Sequence, residues 1–308
     1  MNFLYLLEDI RVPVLNEFML LITRLGEETA FLAVALILFW CVDKKMGYYV
    51  MSVGFLGTIS SQFLKLACRV PRPWVLDPEF TILEQAREAA SGYSFPSGHS
   101  QSAVGTFGGM AATMKNKWLK GLFIAISILV PLSRMYIGVH TPADVLVGSG
   151  ISLILIFALR PVVYSENPRS MKILLASMIG VALLYLAYVE FWPFPADMDA
   201  HNLESGYKNA YTLLGALVGI TIVYAVDEKK INFQVQAPWW AQILKVVLGL
   251  GLVLLVKEGM KSPLEALFAG HMASRAVRYC LIVLVAGLVW PLSFRWFAKL
   301  GKNKRGNQ

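Results

Sequence analysis

Three clusters of polar residues interrupt a strongly apolar chain: Lys65-x6-Arg72-Pro73, Pro96-Ser97-Gly98-His99 and Ser133-Arg134-x5-His140-x3-Asp144. Each abuts the end of an apolar stretch. Ionisable groups at a membrane boundary are costly unless they face a cavity or one another, so such clusters carry a functional expectation. Two histidines, three cations and one carboxylate suit phosphoryl transfer, which needs an in-line nucleophile and positive charge on the equatorial oxygens. Arg72 and Arg134 can fork onto phosphate oxygens while Lys65 serves as a point charge. Ser97, with the N–H groups of Gly98 and His99, opens a helix whose positive end receives an anion, and glycine there lets the backbone come close.

His140 precedes Thr141-Pro142-Ala143-Asp144. That is the pattern of a helix start, with threonine as N-cap, proline at the first helical position and an acid in the first turn. Asp144 can then reach back to His140. A carboxylate on one imidazole nitrogen fixes the tautomer and leaves the other nitrogen free as a nucleophile. His99 would protonate the departing oxygen. This chemistry requires no metal and no cofactor.

Each cluster taken alone has a bland explanation. Lys65 and Arg72 would snorkel at a span end, Pro96–His99 would be a turn with a helix cap, and Asp144 would be a first-turn acid. The conjunction of order, internal spacing and a shared side favours catalysis. Arg69 and Arg87 read as loop charges, and His201 and His271 as residues of connections without comparable partners.

The elements that must position these groups follow from composition. Of 308 residues, 56% are hydrophobic and 16% charged, which makes the bilayer the default solvent. Apolar stretches of spanning or near-spanning length recur at 29–42, 46–64, 99–114, 119–139, 142–164, 171–192, 207–226, 239–256 and 277–297, giving about eight or nine helices. Before them, Phe3, Leu4, Leu6, Leu7, Ile10 and Val12 with Glu8, Asp9 and Arg11 read as an amphipathic interfacial helix, without the features of a cleavable signal peptide. Cys41, Cys68 and Cys280 are too scattered for a disulfide framework or a metal site. Tyr48, Tyr49, Trp192, Trp239 and Trp240 read as interfacial anchors. Gly105-x3-Gly109 and Gly215-x3-Gly219 read as packing devices.

The formal net charge is +8, yet the basic residues lie in short clusters between spans, which speaks for membrane topology rather than nucleic acid. The turns after the first, third, fifth and seventh spans, together with the tail, carry fifteen basic residues against four acids. Excess Lys and Arg near span ends marks the cytoplasmic side. The connection 65–96, the turn at His140 and the stretch 193–206 then fall on the opposite, extracytoplasmic side.

The three clusters resemble the signature of the type 2 phosphatidic acid phosphatase family, with every motif position present in order. The resemblance implies His140 as nucleophile, His99 as proton donor and Asp144 as the partner of His140. It implies Lys65, Arg72, Ser97, Gly98 and Arg134 as phosphate binders. It covers Ser60 to Gly150 at motif level and a six-helix layout to about Trp192; beyond that the match is general, although some bacterial members similarly carry extra C-terminal spans.

The expected fold is therefore all-α, a polytopic transmembrane helical bundle with a six-helix phosphatase core plus about two to three extra C-terminal spans. Residues 1–28 are expected to form the interfacial segment, 29–192 the catalytic core, and 193–308 the additional helices and a basic cytoplasmic tail. The expected activity is metal-independent hydrolysis of a lipid phosphate or diphosphate through a phosphohistidine. The substrate would be phosphatidic acid, a polyprenyl diphosphate or a sphingoid phosphate lying in the bilayer. The connection from Lys65 to His99 reads as a substrate loop. Transfer of the phosphoryl group to another acceptor shares the same first half-reaction and stays open. Anionic-lipid binding or transport without catalysis would need the cations but neither histidine. Compactness and the lack of a targeting segment lean towards a multi-pass protein of a bacterial plasma membrane, and a homo-oligomer is compatible with the sequence.

Overall fold

The computed structural model describes residues 1–90 and 92–300. Lys302, Lys304 and Arg305 of the basic tail lie outside the described residues. Among those described, every regular element is helical, as the apolar periodicity requires. The first three helices are α1 (Asn2–Asp9), α2 (Pro13–Thr23) and α3 (Glu28–Ile37), followed by α4 (Lys44–Cys68) and a single turn, α5 (Pro73–Leu76). Next, α6 (Gly98–Ala103) and α7 (Gly109–Thr113) are joined through a π-helical turn, Val104–Gly108. Then come α8 (Lys117–Tyr136), α9 (Pro142–Val163), α10 (Pro168–Phe191), α11 (Ala200–Val226), α12 (Trp239–Gly259), α13 (Lys261–Leu267), α14 (Ala273–Leu284) and α15 (Phe294–Lys299).

Seven helical segments among the described residues are long and apolar enough to cross a membrane, or up to eight if the pair Pro13–Gly26 and Glu28–Val42, bent by 57°, is one span. The stretch expected at 99–114 is helical as well, but too short to count by that measure. Large apolar side chains such as Ile128, Ile154, Phe157, Leu184 and Leu255 are exposed along these helices. A surface of that kind is satisfied by lipid rather than water. Trp192 and Trp239 are exposed near helix ends, as interfacial anchors should be. Tyr48 and Tyr49 differ from that expectation: both are buried, and the Tyr49 hydroxyl donates to the Ile156 carbonyl at 2.8 Å.

The chain divides into two compact units. The first holds Met1–Val34, Tyr49–Pro161 and Phe194–Gly206. Within it α2 packs along α8. Leu4 of α1 is fully buried in a cluster with Phe80, Ile82, Met135 and Val145. The N-terminal segment thus contributes to the core of this unit. The second unit holds Ala35–Tyr48, Val162–Pro193 and the described residues 207–300. Inside it Lys44 pairs with Asp227 at 2.6 Å, and the buried Lys245 donates to the Val235 carbonyl at 2.9 Å. A Cβ on Gly215 would collide with the Ala276 backbone, and one on Gly219 would fall 2.9 Å from Val283 Cβ. The Gly215-x3-Gly219 pattern therefore does serve close helix approach.

Candidate active site

All three polar clusters fall in the first unit. Lys65 sits in the last turn of α4 and Arg72 caps the single turn α5. Ser97 is the N-cap of α6, and its Oγ accepts from the Ser100 N–H at 3.3 Å and from the Ser100 hydroxyl at 2.9 Å. The Ser97 hydroxyl proton is thereby left to donate elsewhere. Arg134 ends α8, and the turn that follows brings His140 back to the start of α9. Gly138 makes that turn possible, because its φ of +93° lies in the left-handed region, where a Cβ is strained. A Cβ there would also fall 2.8 Å from Arg11 Nη2.

Thr141 and Asp144 cap α9 reciprocally. The Asp144 N–H donates to Thr141 Oγ1 at 3.3 Å, and the Thr141 N–H donates to Asp144 Oδ2 at 2.8 Å, a capping-box arrangement. Asp144 is thus a helix-cap acid and also lies beside His140, with Oδ2 3.4 Å from Nδ1. His140 is 2% exposed and Asp144 1%. The Asp144 carbonyl further accepts the Ser97 N–H at 2.9 Å, which ties the second cluster to the third.

The first cluster joins through Arg72. Its Nη1 lies 3.0 Å from His140 Nε2 and donates to the Val139 carbonyl at 3.0 Å, while its Nε donates to the Gly92 carbonyl at 2.8 Å. A guanidinium has donors only, so His140 Nε2 is the acceptor and the neutral ring carries its proton on Nδ1. Lys65 Nζ donates to the Tyr93 carbonyl at 2.6 Å. Arg134, 1% exposed, donates from Nη1 to Thr23 Oγ1 at 2.8 Å, and its Nε has no partner. Burial first, then the positive fields of Arg72, Arg134, Lys65 and His99, hold the His140 imidazole well below its usual 6.5.

A Cβ on Gly98 would meet no protein atom within 4 Å, so the backbone at the first turn of α6 is open to an approaching group. A close backbone approach occurs at Gly148 of α9, where a Cβ would fall 2.5 Å from the Ser97 carbonyl oxygen. Three residues absent from the motifs also hold the site: Ser94, Thr23 and Arg11. Ser94 Oγ donates to Asp144 Oδ2 at 2.5 Å. Arg11 Nε donates to the Tyr136 carbonyl at 3.0 Å, at the entry to the turn that carries His140. Of the histidines read as bystanders, His201 is exposed in α11, and His271 Nδ1 accepts the Ala273 N–H at 3.1 Å. Among the described residues, no group of three or more His, Cys, Asp or Glu is placed to hold a metal ion.

The profile of the PAP2 superfamily matches residues 44–168, and that of the PAP2 superfamily phosphatase transmembrane extension matches residues 211–304. Phosphatidylglycerophosphatase B of Bacillus subtilis is 32% identical over 163 residues, 49% of this chain and 76% of its own length. An undecaprenyl-diphosphatase of Sulfolobus acidocaldarius is 28% identical over 140 residues, 45% of this chain and 66% of its own. Sphingosine-1-phosphate phosphatase 1 of Rattus norvegicus is 24% identical over 256 residues, 78% of this chain but only 58% of its own. No solved structure matches.

Proposed function

This chain belongs to the PAP2 superfamily and is a membrane lipid phosphatase of that kind; we propose that it hydrolyses a lipid phosphate or diphosphate through a phosphohistidine on His140, at the extracytoplasmic face. The observation that carries the reading is the contact between Arg72 Nη1 and His140 Nε2 at 3.0 Å. It leaves one imidazole nitrogen with a lone pair beside a phosphate-binding guanidinium. When phosphate draws that guanidinium onto its own oxygens, the lone pair is released where phosphorus arrives.

Residues of this chain and one water supply the groups that both half-reactions use. Lys65, Arg72 and Arg134 neutralise the equatorial oxygens, and the Ser97 hydroxyl and the Gly98 N–H donate to them. His140 Nε2 attacks phosphorus in line, forming the P–N bond as the P–O bond to the lipid breaks. His99 gives its proton to the departing oxygen. In the second half-reaction His99 takes a proton from water, the water oxygen attacks phosphorus, and the P–N bond breaks to restore His140. Asp144 stabilises the positive charge that the imidazole carries in between.

A lipid substrate follows from placement at helix ends beside a bilayer-facing surface, where a headgroup reaches the cations while its tail stays in hydrocarbon. The names of the relatives include two monoester phosphatases and a diphosphatase, so the chemistry common to them, a terminal phosphoryl group on a lipid, is the substrate class proposed. The excess of Lys and Arg at span ends on one side of the chain supports the assignment of the site to the other. The test is phosphate release by purified protein, with chelator present, from phosphatidic acid, a sphingoid phosphate and a polyprenyl diphosphate. Release by the native chain and none by a folded His140→Ala variant is expected. Release retained by His140→Ala would refute the mechanism.

A further inference from the structure

Ser94 belongs to none of the three clusters, yet it is fully buried at their centre. Its Oγ lies 2.5 Å from Asp144 Oδ2 and 3.4 Å from His140 Nδ1. The direct separation of His140 Nδ1 and Asp144 Oδ2 is also 3.4 Å, and that carboxylate oxygen already accepts the Thr141 N–H at 2.8 Å. Because Arg72 occupies the lone pair of Nε2, the ring proton sits on Nδ1 and points towards this oxygen pair. A carboxylate only accepts, whereas a hydroxyl accepts and donates at once. The geometry therefore allows one continuous chain, from Nδ1–H to Ser94 Oγ and from the Ser94 hydroxyl to Asp144 Oδ2, in which the short leg is the one from serine to carboxylate.

The backbone around Ser94 is fixed from several directions. The Ser94 N–H donates to the Val70 carbonyl at 2.8 Å. The two carbonyls before it, of Gly92 and Tyr93, accept from Arg72 and Lys65 at 2.8 and 2.6 Å. The Tyr93 N–H donates to Asn202 Oδ1 at 3.0 Å. Two of the cations assigned to phosphate thus hold the segment that presents Ser94, so a shift in either cation reaches the serine through one or two residues of backbone.

We propose that Ser94 is a positioning residue that couples His140 to Asp144, passing the carboxylate's orienting and charge-stabilising effect to the imidazole through its hydroxyl. It touches neither lipid nor phosphate. This rests on His140 being the nucleophile. Arg72 meets the ring at Nε2, the charges of Arg134, Lys65 and His99 also act on it, and Asp144 and Ser94 lie at Nδ1.

The test uses the full-length chain in detergent micelles with phosphatidic acid as substrate and inorganic vanadate as a competing phosphate mimic. Ser94→Ala should lower kcat about 10- to 100-fold, less than the ~10,000-fold that loss of an orienting carboxylate costs a nucleophile–histidine pair. KM and the vanadate inhibition constant should stay within about threefold, because phosphate contacts are intact. Ser94→Thr, which keeps the hydroxyl, should recover most of kcat and keeps the test informative if the alanine variant folds poorly. In an Asp144→Asn background, Ser94→Ala should cost little more, since residues acting as one unit are not additive. Unchanged kcat in Ser94→Ala, or losses that multiply with Asp144→Asn, would overturn the proposal while leaving His140 in place. Activity retained by His140→Ala would instead overturn the nucleophile assignment and this inference with it.

Discussion

Arg72 and His140 share a hydrogen bond in which the guanidinium Nη1 donates to the imidazole Nε2 at 3.0 Å. One contact thus does two things. It dictates which ring nitrogen carries the proton, because arginine cannot accept, and it holds the free lone pair beside a group that phosphate will claim. Lysine cannot reproduce this, since an ammonium lacks the planar fork that would keep Val139, Gly92 and His140 together. Arg72→Lys should therefore lower kcat/KM by about 100- to 1,000-fold, roughly 3–4 kcal/mol of transition-state stabilisation. Steady-state kinetics on the folded variant measure this, and a loss under threefold would mean that Arg72 acts only as a charge.

The pH dependence follows from the surroundings of His140. Burial and the four neighbouring positive or ionisable groups hold this imidazole well below 6.5. A nucleophile must be unprotonated, so the acid limb of kcat/KM that reports His140, corrected for the ionisation of the substrate phosphate, should fall below 6.5. The stability effect has the same sign. The unfolded chain takes up this proton first, so the contribution is full above about 6.5 and is lost as pH falls towards the folded value. An acid limb centred at or above 6.5 would contradict the assignment.

Gly148 offers a test of how α9 seats the second cluster. A methyl group there would fall 2.5 Å from the Ser97 carbonyl, and backbone cannot rotate out of the way as a side chain can. Gly148→Ala should lower stability by about 1–3 kcal/mol and reduce kcat by displacing Ser97 and His99. Thermal unfolding and turnover of the same preparation check both, and a variant with native Tm and kcat would show that α9 and Ser97 are loosely held.

Sidedness can be read from Cys68, which is exposed at the end of α4 that leads to Arg72. In intact cells expressing a variant with Cys41 and Cys280 replaced by alanine, a membrane-impermeant maleimide should label Cys68 without permeabilisation. Labelling only after the cells are opened would put the site on the cytoplasmic side.

Much of this site was legible before any fold was known, and the reasons are particular. The eight motif residues lie close in sequence to helix ends, and helix-start chemistry at Thr141-Pro142-x-Asp144 can be read from residue types alone; the reciprocal cap is present as that pattern requires. What escaped were contacts without a local signature. Ser94 and Asp144 are 50 residues apart, Thr23 and Arg134 are 111, and Arg11 and Tyr136 are 125, and no periodicity links such pairs. An amphipathic pattern in residues 2–12 says that one face is buried but not against what; in the fold Leu4 packs on Phe80 and Met135. Gly98 and Gly148 were equally invisible as a pair, because a glycine reports that space matters without saying whether it is kept open or filled by backbone.

The covalent step on His140 can be trapped. Purified protein is mixed with lipid substrate carrying labelled phosphorus, quenched in alkali within milliseconds, digested and mapped. The label should be stable to alkali and labile to acid, as a P–N bond is, and lie on the peptide containing His140. It should form at least as fast as turnover and be absent from His140→Gln. Label on another residue such as Ser94 or Asp144, or continued turnover by His140→Gln, would contradict it.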